Sequence, residues 1–162
     1  MDWKQLINVL TEIKAVYTEL LALTEETRTA VFDKDIDRLD AVVRREQEAA
    51  VRLEHWEKRR LACMAVPEGS PDPPTLLFFA GQAPEEEGLR LRSLHDELDG
   101  LIQNLLLKNK ENKKLVESKL DYVRFALDAL QAEQTAGLYG SMYGSAPPDG
   151  GLIQKTVFDQ KG

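Results

Sequence analysis

The chain has 162 residues, 43% of them hydrophobic and 30% charged, which suits one domain with a modest core and leaves too little for a second full one. Its 28 Asp and Glu against 21 Lys and Arg leave a net charge of −7, a field that repels phosphate backbones and anionic lipid surfaces. No apolar run approaches the roughly 18 residues that cross a bilayer, so neither nucleic acid nor direct membrane insertion is expected.

The Met1-Asp2-Trp3-Lys4-Gln5 start lacks a basic region followed by an apolar one, and a cytoplasmic location is expected. The single cysteine, Cys63, cannot form an internal disulfide and reads as a small packing residue on a helix.

Leu6, Val9, Ile13, Val16, Leu20 and Leu23 alternate steps of three and four, which draws one stripe along a first helix. Leu10 and Tyr17 widen it, so this helix is expected to pack against more than one neighbour. The pattern thins through Thr24, Thr27 and Ala30. Within Val31-Phe32-Asp33-Lys34-Asp35, two short acids offer carboxylate caps, and a tight turn is predicted.

A second helix is predicted from about Ile36 to Met64, with Leu39, Val42, Val43, Ala49, Ala50, Leu53, Trp56 and Cys63 as its apolar positions. Glu46 and Arg60 interrupt that face, while the dense charge around it reads as a solvated surface. Pro67, Pro71, Pro73 and Pro74 then forbid helix, since each lacks an amide donor and biases its predecessor towards extended backbone. Inside this connection, Thr75-Leu76-Leu77-Phe78-Phe79-Ala80-Gly81 carries a capping residue in front and a glycine behind, which predicts a short helix laid over the bundle end. The alternative is that the two phenylalanines form an exposed docking patch.

Pro84-Glu85-Glu86-Glu87 announces a third long helix, because proline suits a first turn and carboxylates meet its partial positive charge. Its stripe reads Leu91, Leu94, Leu98, Ile102, Leu105, Asn109, Asn112, Val116, Leu120, Val123, Leu127 and Leu130. Reaching Gln134, such a helix spans roughly 75 Å at ~1.5 Å per residue, too long for either earlier helix to cover. Part of its apolar face is therefore expected to lack an internal partner. Asn109 and Asn112 lie in the seam, where an amide must find hydrogen bonds and so fixes register or marks a docking point.

Beyond Ala136 lie six of the ten glycines and Pro147-Pro148, and a flexible tail is expected over 136–162, after a helical domain over 1–135. The apolar clusters Leu138-Tyr139-Gly140-Ser141-Met142-Tyr143 and Leu152-Ile153-Gln154-Lys155-Thr156-Val157-Phe158 have the character of short recognition segments. The fold class that emerges is all-α: an elongated antiparallel bundle of three long helices, a short extra helix in the second connection, and the tail.

Chemistry finds no foothold in these motifs. His55 and His95 lack the Glu-x-x-His spacing of helical carboxylate metal sites, and His95 with Asp99 supplies two ligands where zinc commonly takes four. Phosphate-loop and nucleophile-elbow motifs are missing. No catalytic residue, cofactor or metal is expected, and the chain reads as a protein-binding one.

The sequence resembles the FlgN-type flagellar export chaperones. The resemblance is carried by the helix layout with its break at Lys34-Asp35-Ile36, by Leu107-Lys108-Asn109-Lys110-Glu111-Asn112-Lys113-Lys114-Leu115, and by Leu138-Tyr139-Gly140 ahead of a Gly-rich end. It implies a cytoplasmic chaperone of flagellar type III secretion that holds the C-terminal helical ends of hook-filament junction proteins, prevents their premature assembly and delivers them to the export gate. Client binding is expected at Asn109, Asn112, Val116, Leu120, Val123, Leu127 and Leu130. By the same resemblance, Tyr139 would dock the loaded complex on the cytoplasmic domain of the gate. The loop from Val66 to Pro84, with Phe78-Phe79, matches no family motif. The competing expectation is a non-catalytic coiled-coil scaffold that self-associates through the same stripe, and a homodimer of the free chain stays open.

Overall fold

The computed structural model describes the backbone of residues 1–64 and 74–142, with side chains as far as 137. Every regular element among the described residues is α-helical: α1 (Trp3–Asp33), α2 (Ile36–Met64), α3 (Leu76–Gln82) and α4 (Glu85–Met142). The chain divides into two compact units, Met1–Val116 and a second that starts at Glu117.

In the first unit, the Asp2 side chain accepts from the Gln5 amide at 3.0 Å and starts α1, satisfying one of the donors that a helix start leaves open. The turn after α1 is made by Lys34, whose φ of 57° places it in the left-handed region. Its amide and that of Asp35 return to the carbonyls of Val31 and Ala30, closing the helix end. The Asp35 carboxylate then accepts from the Arg38 amide at 3.0 Å. One of the two expected acids therefore caps α2.

From that turn α2 runs back along α1. Asp33 pairs with Arg38, Glu26 with Arg45 and Glu19 with Arg52, so the partners draw further apart in sequence with distance from the turn. Glu46, which breaks the apolar pattern of α2, accepts from the Thr27 hydroxyl at 3.0 Å. Arg60 is held by Glu57 and reaches the sulfur of Met64. These pairs are largely exposed and orient the helices more than they stabilise them.

Stability comes from the apolar cluster at the other end of α1. Leu6, Val9, Leu10 and Ile13 meet Met64 of α2, Phe79 and Ala80 of α3, and Leu91, Leu94 and Leu98 of α4. Trp3, Trp56 and Cys63 pack against its margin. Tyr17 is half-buried, and burial pushes its hydroxyl pKa up, with Glu57 adding to the effect and Arg60 opposing it. Further along, Val16, Leu23, Ala30, Val42 and Ala49 are buried.

The extra helix forms where expected. The Thr75 hydroxyl caps it by accepting from the Phe78 amide. Gly81, expected behind it, lies inside α3, which ends one residue later with Ala83 as its cap. The phenylalanine pair divides: Phe79 is buried and Phe78 exposed, their rings edge to face at 5.6 Å. Gly88, in the first turns of α4, lies where a Cβ would come within 2.7 Å of the Ala80 carbonyl oxygen. A side chain there would push α3 away.

The end of α4 departs from the sequence reading. The helix continues through Gly137 and Gly140 to Met142, so residues 136–142, expected in the tail, are helical. Each glycine costs about 1 kcal/mol relative to alanine, a penalty that propagation of an established helix tolerates because every added residue closes another hydrogen bond. The rest of the expected tail, 143–162, and residues 65–73 of the proline-rich connection lie outside the described residues.

Candidate partner-binding surface

Four polar pairs set α4 against α1 in the first unit. Lys14 binds Glu97, Glu25 binds Lys108, Arg28 binds Glu111, and the Asn112 amide donates to the Thr24 carbonyl at 2.8 Å. The order of partners makes the two helices parallel. An offset of 83 residues, as between Lys14 and Glu97, recurs in the Glu25 and Arg28 pairs. By the same offset Asp33, the last residue of α1, corresponds to Val116, the last residue of the first unit.

The carboxyls of this seam titrate accordingly. The Lys14 ammonium, with help from the Ser93 hydroxyl, holds Glu97 below the usual carboxylate range. Lys108 does the same for Glu25.

The seven stripe residues expected to bind a partner divide along this line. Asn112 is buried and its amide is taken up by α1, the register-fixing option for a seam amide. Asn109 is exposed and Val116 half-buried. In the second unit, Leu120, Val123, Leu127 and Leu130 are between 48 and 54% exposed. The apolar stripe that is sealed at Leu91 and Leu94 is open at Leu127 and Leu130.

Two further residues belong to this open stretch and were not singled out from the sequence. Tyr122 and Phe125 are 66 and 74% exposed, and at ~100° per residue they lie on the opposite side of the helix from Leu120 and Leu127. The available signal was a pair of aromatics three apart, off the main stripe, in a segment already apolar on one face. Tyr139 lies in the last turns of α4, and its side chain is outside the described residues.

Other exposed apolar residues are scattered. Phe32 and Ile36 flank the turn between α1 and α2, and Leu77 and Phe78 lie on α3. His55 stacks edge-on against Trp56, and His95 contacts Asp96 at 3.0 Å. Among the described residues, no group of three or more His, Cys, Asp or Glu is placed to hold a metal, and no helix is long and apolar enough to cross a membrane. What the surface offers is apolar area on a helix, suited to receiving another amphipathic helix.

A family model described as "FlgN protein" matches residues 1–146. No curated protein and no solved structure matches the chain.

Proposed function

The chain belongs to the FlgN family of flagellar export chaperones, and from that premise we propose that it is a cytoplasmic, non-catalytic chaperone for hook-filament junction proteins. It receives the C-terminal helical end of such a client on the stripe of Val116, Leu120, Val123, Leu127 and Leu130, with exposed Asn109 at its margin and Asn112 fixing the register of the helix beneath. Holding that end keeps the client from assembling before it is delivered to the export gate. Tyr139, carried over from the family resemblance, docks the loaded complex on the cytoplasmic domain of the gate. The arrangement assumed is an antiparallel bundle of three long helices, with the docking residue Tyr139 in the last turns of α4.

One observation supports this reading above the rest: Leu120, Val123, Leu127 and Leu130, at spacings of three and four on one helix of the second unit, are all about half exposed. A helix with uncovered apolar residues at spacings of three and four is a template on which an amphipathic client completes a bundle.

The test is capture of a client's C-terminal segment on a sizing column. Leu120→Asp combined with Leu127→Asp abolishes the complex and leaves the fold intact. Tyr139→Ala keeps the complex and weakens its binding to the isolated cytoplasmic domain of the gate. Capture unchanged by the double substitution refutes the assignment of the groove. A free chain that oligomerises through this stripe and takes no client is instead a scaffold.

A further inference from the structure

The two seam asparagines of α4 differ in what holds them. Asn112 is buried, and its amide donates to the Thr24 carbonyl at 2.8 Å. Asn109 is exposed, and among the described residues its amide makes no hydrogen bond. It nevertheless lies in line with apolar side chains. Ile102 comes seven residues before it and Val116 seven after, both half-buried, and seven residues fall only about 20° short of two full turns. A polar group thus stands in the middle of an apolar line, with its donors and its acceptor unused.

Water serves that amide while the stripe is open. A helix packed along the stripe drives the water off, and the amide then needs a partner on the incoming chain or is left unsatisfied. Lys113, one turn further along and exposed, offers only donors, so the Asn109 NH2 still lacks an acceptor. Leucine opposite Asn109 supplies none, whereas Asn, Gln, Ser or Thr does. The seam with α1 already meets this requirement within the chain, because the amide covered there is the one that is bonded. A client helix displaced by one heptad, roughly 10 Å along the axis, sets an apolar side chain against Asn109 and its own polar one against Val116. Both mismatches disfavour the wrong register.

We propose that Asn109 is a specificity-determining residue of the client site. It selects a client helix that carries a polar side chain at one position of an otherwise apolar stripe, and the pairing of the two fixes the client's register. This rests on the proposed client function and adds which helix the stripe accepts and where along it.

The test is a double-mutant cycle read by fluorescence anisotropy on the full chain, with the C-terminal helix of a hook-filament junction protein as the probe. Each polar residue in the apolar stripe of the probe is replaced by leucine in turn. Asn109→Leu weakens the unaltered probe about tenfold or more, the scale of one buried polar group left without a partner. One of the leucine probes is weakened as much on the wild-type chain. On Asn109→Leu the same probe recovers to within about threefold of the original affinity, since removing both polar partners together leaves neither unsatisfied. Circular dichroism and the urea midpoint of Asn109→Leu match wild type, because the side chain is exposed.

If Asn109→Leu binds the unaltered probe as tightly as wild type while Leu120→Asp with Leu127→Asp does not bind it, the amide does not read the client, and the selection is overturned with the parent function standing. A loss on Asn109→Leu that no leucine probe recovers means that the amide has no polar partner on the client, and it overturns the selection in the same way. If the Leu120 and Leu127 double variant retains binding, or the wild-type chain takes no probe, the parent function fails and the selection with it.

Discussion

Truncating leucines at the two ends of the α4 stripe should have opposite consequences. Leu94 is fully buried and packs in the cluster with α1 and α3. Leu94→Ala loses the transfer energy of the removed carbons and leaves a cavity, about 3 to 5 kcal/mol together. Leu127 is 53% exposed, so Leu127→Ala removes little buried area, and alanine's higher helix propensity offsets part of that. Its cost should stay within about 0.5 kcal/mol.

Urea unfolding followed by tryptophan fluorescence measures the difference, because Trp3 and Trp56 both pack against the core. At a typical slope of roughly 2 kcal/mol per molar urea, Leu94→Ala lowers the midpoint by about 1.5 M or more. Leu127→Ala leaves the midpoint near wild type. A loss above about 1.5 kcal/mol for Leu127→Ala in this assay would mean that the residue is packed by the chain itself, and the case for an open stripe would fail.

The two seam asparagines should separate in the same way. Asn112→Ala breaks a buried hydrogen bond to α1 and costs about 1 to 3 kcal/mol, while Asn109→Ala is close to neutral; equal losses in urea titrations would contradict the register role of Asn112. Gly88→Ala drives a Cβ against the backbone of α3 and should lower the melting temperature despite the better helix former, a net cost of about 1 to 3 kcal/mol; a raised melting temperature would show that α3 yields freely. Glu97 and Glu25 are held below their ordinary pKa of 4.5, so their contribution is complete above that value and is lost as pH falls through the lowered ones. Acid titration of the tryptophan signal should show this loss, and Glu97→Gln should flatten it; an unchanged acid limb would assign the loss to other carboxylates.

Periodicity determined the helices of this protein, because steps of three and four are a property of helical geometry that needs no tertiary information. It placed α2 at Ile36 to Met64 and the turn at Lys34 and Asp35, where capping chemistry is local. It also showed one stripe running the length of α4, with Asn109 and Asn112 equivalent within it. The family resemblance rested on the same local signals.

Only the tertiary structure decided which part of that stripe is core and which is surface. Coverage depends on the register in which another helix packs, and that follows from contacts between residues more than 80 positions apart. Those contacts bury Asn112 and leave Asn109 exposed. Phe79 is buried in the cluster that α1, α2, α3 and α4 share, while Phe78 beside it stays in water. The lengths of the helices already implied an uncovered stretch, but the register of α4 on α1, which sets which seam residues are sealed, is fixed by pairings that no local sequence window contains.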